Sequence, residues 1–267
     1  MNEQRFQQKM LVLIMVLATA ASIVNLYGQQ NSNQKIKVAL IYTGTSPELI
    51  ESMERELKEQ LGAQVELMNY AVPSVLEEIR KTGYVTATPA AKMVRTYMEA
   101  IEAGADAILN ICSSVGDVVH SVQDLAKYLG VPIVMVNEEM CREAVRRGNK
   151  IAVMATLPTS IDPTRNIIMR VSREMGKHVE VIPVLVEGAY GLDREQSKAL
   201  ITSEAEKIAA QVDVIVFAQG SMAYCEKFIA DRFQKLVLSN PFFGVKALKS
   251  ALIDKDLIVN TEQRNTK

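Results

Sequence analysis

The chain has 267 residues, 48% of them hydrophobic, and 30 Lys and Arg against 31 Asp and Glu give a formal net charge of −1. That supplies one large core or two small ones, and the interleaved charges form no basic stripe, so a nucleic-acid partner is excluded as the expectation. The absence of Trp, two histidines (His120 and His178) without a metal-ligand neighbour at helical spacing, and three scattered cysteines argue against base-stacking platforms, a zinc site and a disulfide framework.

The N-terminus reads apart from the rest. Met1–Lys9 is polar and carries Arg5 and Lys9, Met10–Leu17 is wholly apolar, and Ala18–Ser22 is made of small residues. This order reads first as an export signal, with an exported or periplasmic location. Weak apolar character continues to Tyr27, so an uncleaved membrane anchor over residues 10–27 is the second reading. A buried core helix is the third. Gly28–Gln34 reads as a polar linker.

From Ile36 onward the pattern alternates. Strands are expected at Ile36–Tyr42, Val65–Met68, Ala107–Ile111, Pro132–Val136, Lys150–Met154, Val179–Val186, Val214–Phe217 and Leu236–Leu238. Between them, helical spacing covers Ser46–Leu61, Lys92–Ala103, Gly116–Leu129, Glu138–Arg147, Asp162–Met175, Ser203–Gln211 and Ala223–Gln234. Several helices are followed by glycine (Gly104, Gly130, Gly148, Gly176), the residue that takes a left-handed C-cap at little cost. Apolar β-branched runs alternating with helices predict an α/β fold of parallel strands covered on both faces.

The chain also repeats itself. Lys37–Thr43 (KVALIYT) aligns with Lys150–Thr156 (KIAVMAT) 113 positions on, and Ala105–Ser114 (ADAILNICSS) with Val212–Ser221 (VDVIVFAQGS) 107 positions on. Val65-Glu66 aligns with Val179-Glu180 in the same order. Three matches in register predict two pseudo-symmetric parallel-sheet halves with a cleft between them. The expected organisation is a leader and linker over 1–34, a first half over 35–136 joined by a return of 241–253, a second half over 137–240, and a polar tail over 254–267.

Ligands of open parallel sheets sit beyond the carboxyl ends of the strands. There the two halves carry Thr43–Thr45 with Cys112–Ser114, and Thr156–Thr159 with Gln219–Ser221. These segments are rich in hydroxyls, small residues and free amides, which suit a small carboxylate or cyclic imide. No nucleotide-type glycine motif follows any strand.

Cys112 ends an apolar strand and opens Cys-Ser-Ser-Val-Gly-Asp ahead of a helix. A thiol at a helix N-terminus is expected to have a lowered pKa and to serve as a base toward a carbon beside a carbonyl. The competing reading is a small packed core residue, and periodicity does not separate the two. Cys141 and Cys225 read as packing residues, with a site-facing role left open for Cys225. His120 reads as an ordinary histidine, and Tyr190 first as an ordinary loop tyrosine, with closure over a ligand as the second reading. Asp106 and Asp213, at the amino ends of matched strands, read as loop-orienting residues.

On Gly104–Gly116 (GADAILNICSSVG), Arg142–Thr164 (REAVRRGNKIAVMATLPTSIDPT) and Asp213–Ala223 (DVIVFAQGSMA), the chain resembles the aspartate/glutamate/hydantoin racemase superfamily over roughly residues 36–252. The resemblance implies a cleft between two α/β halves and one cysteine per half on opposite faces of the substrate carbon. It also implies no pyridoxal phosphate, metal or nucleotide cofactor. By position, Cys112 matches the first cysteine. Ser113, Ser114, Thr156 and Ser221 match contacts to a carboxylate or enolate, with Thr43 a weaker candidate. The chain departs from the pattern at Gln219, where the second cysteine is expected. An amide cannot exchange a proton, although it can steady an enediolate by hydrogen bonding.

Three functions follow, in order. The first is a racemase or epimerase in which Cys112 serves one face and water, Cys225 or another group the other. The second is a single-cysteine decarboxylase, lyase or cis-trans isomerase. The third is a non-catalytic carboxylate-binding protein. A symmetric homodimer is the default oligomer for such enzymes.

Overall fold

The computed structural model describes residues 35–259, so the export-signal and anchor readings of 1–34 and the tail beyond 259 lie outside the described residues. Among the described residues, no helix is long and apolar enough to cross a membrane.

The elements alternate as the periodicity predicts. The first half runs β1 (Ile36–Tyr42), α1 (Pro47–Gln60), β2 (Val65–Ala71), α2 (Pro73–Thr82), α3 (Ala87–Glu102), β3 (Ala107–Asn110), α4 (Gly116–Ser121), α5 (Gln123–Leu129) and β4 (Ile133–Met135). The second continues with α6 (Glu138–Arg147), β5 (Lys150–Ala155), α7 (Ile161–Glu174), β6 (Glu180–Leu185), α8 (Arg194–Ile208), β7 (Val214–Phe217), α9 (Glu226–Phe233), β8 (Leu236–Ser239) and α10 (Asn240–Asp254). They form two four-stranded sheets ordered β2-β1-β3-β4 and β6-β5-β7-β8. The central pairings are parallel, with Val38 opposite Ala107 in one sheet and Ile151 opposite Val214 in the other. Strands β3 and β7 are buried along their whole length, which accounts for their unbroken apolar runs.

The repeat seen in the sequence is a repeat of hydrogen bonds. Asp106 N donates to the Lys37 carbonyl and Asp213 N to the Lys150 carbonyl, both at 2.8 Å. At the far ends of the strands, Ile111 N donates to the Ile41 carbonyl and Ala218 N to the Met154 carbonyl, both at 2.9 Å. The two aspartates clamp the amino ends as expected. Asp106 Oδ2 accepts from Lys37 N at 2.8 Å, and Asp213 Oδ2 accepts from Asn149 N at 2.8 Å and Lys150 N at 2.9 Å.

The helices that follow the last strand of each sheet change partners. Helix α6, after β4, packs on β7, β8 and α7, whereas α10, after β8, packs on β3, β4 and α1. The two crossing helices also pack on one another. This exchange ties the halves together and holds the ends of β3 and β7 in a fixed relation.

Several expectations need correction: the helix expected over Ser203–Gln211 starts nine residues earlier, at Arg194, behind the Asp193 cap, and ends at Ile208. Helix α2 was not among the expected elements, although Pro73 at its start and left-handed Gly83 (φ 82°) at its end are ordinary boundary signals. The helix expected over Gly116–Leu129 is two helices that meet at Val122 (φ −98°, ψ 7°). There Gln123 Nε2 donates to the Val119 carbonyl and to the Ile133 carbonyl, both at 2.9 Å. Gly104, Gly130 and Gly176 take positive φ as expected, but Gly148 is extended at φ −154°. Its lack of a side chain serves packing, since a Cβ there would lie 2.7 Å from Asp213 Cβ and 2.8 Å from Val214 Cγ2.

Candidate active site

The carboxyl ends of β1, β3 and β7, together with the turn after β5, border a cavity of about 90 Å³ between the halves. Its wall includes Thr43, Cys112, Ser113, Ser114, Gln219 and Ser221. Of the residues expected to contact a ligand, Thr156 is the one that is not part of this wall.

Cys112 is buried, 7% exposed, at the end of β3. Its backbone is fixed from below by Asn110, a polar residue inside an otherwise apolar strand. Asn110 Nδ2 donates to the Cys112 carbonyl at 3.0 Å, and Asn110 Oδ1 accepts from the Tyr97 hydroxyl at 3.0 Å. Burial pushes the Tyr97 phenol up, so this anchor is uncharged.

Burial also pushes the Cys112 thiol above its ordinary value. The Thr43 hydroxyl, the amides of Ser114 and Val115 and the Ser114 hydroxyl pull the other way without overcoming it. This corrects the expectation of a lowered pKa. The chain after Cys112 first makes a 3₁₀ turn, Ser113–Val115, and then the six-residue α4, so only a short helix points at the sulfur. Its field is weaker than the cost of removing a thiolate from water. At neutral pH the resting group is a thiol.

Gln219 occupies the matching position at the end of β7. Its Oε1 accepts from Thr156 N at 2.6 Å, Thr156 Oγ1 at 3.0 Å and Leu157 N at 3.2 Å. Those bonds saturate the amide oxygen and orient the side chain. They also occupy Thr156, which therefore positions Gln219 and does not itself contact a ligand. With Oε1 so assigned, Nε2 is the amide group left for the cavity.

The two serines after Cys112 reach across to the other half. Ser113 Oγ donates to the Ala218 carbonyl. Ser114 Oγ lies 3.2 Å from Thr159 Oγ1 and 3.3 Å from Ser160 Oγ. Ser113 is thus committed to joining the halves, while Ser114 sits in a hydroxyl cluster that also faces the sulfur. Ser221 is half-buried at the wall.

Among the described residues, no Asp, Glu, Lys, Arg or His lines the cavity. A carboxylate there would be met by hydroxyls and amides, with the positive end of the 14-residue α1 dipole added at its N-cap, Ser46, which is part of the wall. Among the described residues, no group of three or more His, Cys, Asp or Glu could hold a metal ion.

The other candidates fall elsewhere. Cys225 is fully buried in the core of the second half, outside the cavity wall, with its thiol pushed up to about 11 by burial. It cannot serve the second face of a ligand beside Cys112. Cys141 is buried between α6 and α7, its sulfur 4.0 Å from the Thr164 carbonyl. His120 is exposed beside Arg170 and Arg173, around a separate depression. Tyr190 does line the cavity, as do Leu49, Leu76 and Ser160, which sequence reasoning missed. Leu76 lies on α2, the helix the periodicity did not supply. Asn110 had a visible signal, a lone amide in an apolar run.

The family model for Asp/Glu/hydantoin racemases matches residues 38–248. No curated protein sequence matches the chain. Among solved structures, a glutamate racemase from Bacillus anthracis superposes with a TM-score of 0.64 at 13% identity, covering 85% of this chain and 85% of that one. An allantoin racemase from Klebsiella pneumoniae gives 0.61 at 13% identity, covering 85% and 91%. A maleate isomerase from Pseudomonas putida gives 0.53 at 16% identity, covering 84% and 94%. At these identities the likeness is one of fold.

Proposed function

We propose that this chain, which belongs to the Asp/Glu/hydantoin racemase family, is a cofactor-independent isomerase that moves a proton at a carbon beside a carboxylate, with Cys112 as the proton-transfer residue. The observation that carries this reading is the setting of the Cys112 sulfur. It stands at the wall of the cleft, faced by two hydroxyls and two amides that favour its thiolate, inside a site dry enough to keep it a thiol at rest. Burial makes the thiol the resting form, and the facing donors lower the cost of forming the thiolate, so the same group can serve as base once deprotonated and as acid when it returns the proton.

In the forward step the Cys112 thiol first gives its proton to solvent, the thiolate then takes the α-proton, and the C–H electron pair passes into an enediolate. Gln219 Nε2 and the surrounding amides stabilise that oxyanion by hydrogen bonds. Returning the proton from the same sulfur restores the starting enantiomer. Returning one from the opposite face inverts it, and with Gln219 there the donor is solvent. Exchange of the α-hydrogen therefore outpaces inversion.

That asymmetry also favours a second reading, a single-thiol double-bond isomerase or lyase, because such reactions need no acid on the second face. Its supporting observation is the saturated Gln219 carbonyl at the place matched to Cys112. The test is incubation in deuterated buffer with a panel of small amino acids, hydantoins and unsaturated or malonate-type diacids. Solvent deuterium at the α-carbon of both enantiomers supports the racemase. Consumption of substrate with a new product supports the second reading. Neither exchange nor product across the panel, in folded protein, sinks both.

A further inference from the structure

Ser114 stands in the partition between two cavities. On one side is the cleft that Cys112 lines. On the other is a second cavity of about 460 Å³, bordered by α2, α3, α4 and the start of α7. Among the described residues, Ser114 is the one that belongs to both walls. Ser114 Oγ hydrogen-bonds the Cys112 sulfur and lies 3.2 Å from Thr159 Oγ1. Thr159 lines the second cavity and not the cleft. A sulfur, two hydroxyls and a second cavity therefore stand in a row. Ser160 Oγ, 3.3 Å from Ser114 Oγ, is a side branch that leads back to the cleft.

Packing alone does not call for these hydroxyls. Ser114 is 3% exposed and Thr159 7%, and at such depth an alkyl group fills space without the cost of burying a polar atom. A hydroxyl differs in carrying a donor and an acceptor on one atom, so it can take a proton on one side and release its own on the other. The need for such a row arises when a ligand is bound. Cys112 borders the cleft and not the second cavity. A ligand seated in the cleft displaces the water before the sulfur and closes that way out. The second cavity keeps an exposed rim, and its charged residues, Asp117 and Asp162, are exposed carboxylates that draw a proton outward.

We propose that Ser114 and Thr159 carry the Cys112 proton to and from water in the second cavity while the cleft is filled. The Cys112 S–H bond breaks and its proton goes to Ser114 Oγ. Ser114 gives its own proton to Thr159 Oγ1, and Thr159 gives its own to a water of the second cavity. Both hydroxyls end as they began, the sulfur is left as a thiolate, and the reverse sequence returns a proton to it. No electrons change hands between groups. This rests on the reading of Cys112 as the proton-transfer residue, and it supplies the way solvent reaches a sulfur covered by substrate.

The test reads exchange of the Cys112 S–H for S–D by infrared spectroscopy after the full chain is mixed into deuterated buffer, with the band assigned by its loss in Cys112→Ala. It is run with the cleft empty and with the cleft filled by malonate, and protection of Cys112 from iodoacetamide shows the filling. In wild type, malonate is expected to block alkylation and to leave S–H exchange nearly as fast as before. In Thr159→Val the empty-cleft rate is expected to match wild type. Its filled-cleft rate is expected to fall about tenfold, the rate equivalent of one lost hydrogen bond. Thr159→Ser, which keeps the hydroxyl, holds the wild-type rate in both states. Wild-type exchange that malonate stops together with alkylation overturns the path, and so does a filled-cleft rate in Thr159→Val equal to wild type. Equal slowing of Thr159→Val with the cleft empty and filled also overturns it and assigns Thr159 to the fold. Each of these results leaves Cys112 able to act through the cleft mouth. If malonate gives no protection, the reading of the cleft as a carboxylate site falls and the path with it.

Discussion

At the end of β3 the chain sets Cys112 beside the Thr43 hydroxyl and the amides of Ser114 and Val115. At the end of β7 it sets Gln219 beside the Thr156 hydroxyl and the amides of Thr156 and Leu157. Each half thus supplies one threonine from its first strand end and two amides to one side chain. The thiol uses its donors to offset part of the cost of burial and remains titratable. The amide uses them to fix its oxygen and has no proton to exchange. Two near-equivalent backbone frames therefore differ in chemistry through the side chain each presents, and the difference makes the site one-sided.

The largest expected effect comes from removing the reactive side. Cys112→Ala is expected to lower α-hydrogen exchange by about 10²–10⁴-fold, the usual worth of a positioned acid or base. Exchange at a near-wild-type rate in that variant would take the sulfur out of the reaction. Next, Gln219→Cys places a second thiol before the Thr156 donors. The ratio of inversion to exchange, read by chiral chromatography against deuterium content, should rise about tenfold or more. An unchanged ratio in folded protein would mean that the halves are not interchangeable at this position.

The two threonines give a smaller and sharper comparison. The Thr43 hydroxyl lowers a thiol pKa that burial has raised, so Thr43→Val raises it further. Alkylation of Cys112 by iodoacetamide should then shift to more alkaline pH by roughly half to one unit, the equivalent of one modest hydrogen bond. Thr156→Val, on the amide side, should leave that curve in place. Equal shifts from both would deny the one-sidedness.

The smallest effect tests the clamps at the opposite ends of the strands. Asp213 accepts two amides where Asp106 accepts one, and those amides hold its carboxyl below the usual carboxylate range. A depressed carboxyl stabilises the fold above its unfolded pKa, about 3.9, and loses that contribution as pH falls through the folded value. Asp213→Asn is expected to lower Tm by ~2 °C at neutral pH, discounted for solvent exposure, and Asp106→Asn by less. The Asp213→Asn deficit should close in acid. A deficit that stays constant as the carboxyl is protonated in acid would assign the effect to packing against Gly148.

Much of this is legible in residue order. The apolar runs Ile36–Tyr42 and Val214–Phe217 announce buried parallel strands, and the matched spacing of Asp106 and Asp213 announces the paired clamps. Cys112 and Gln219 fall at strand ends in both readings. The break at Val122 was hidden, because it depends on a Gln123 side chain reaching a carbonyl on the neighbouring β4. Leu76 was hidden as a wall residue, since nothing local tells a helix leucine which cavity it faces.

By itself the sequence determined the α/β class, the internal repeat and the placement of Cys112 and Gln219 at matched strand ends, because strand burial and repeat spacing are written in residue order. The tertiary structure alone decided three further matters. It set the protonation balance of Cys112, which follows from the depth of burial against four converging donors. It excluded Cys225 from the cleft, which follows from the packing of the second core. It brought Arg80 against Tyr190, 110 positions apart in sequence, because only the closure of the two halves makes their surfaces neighbours.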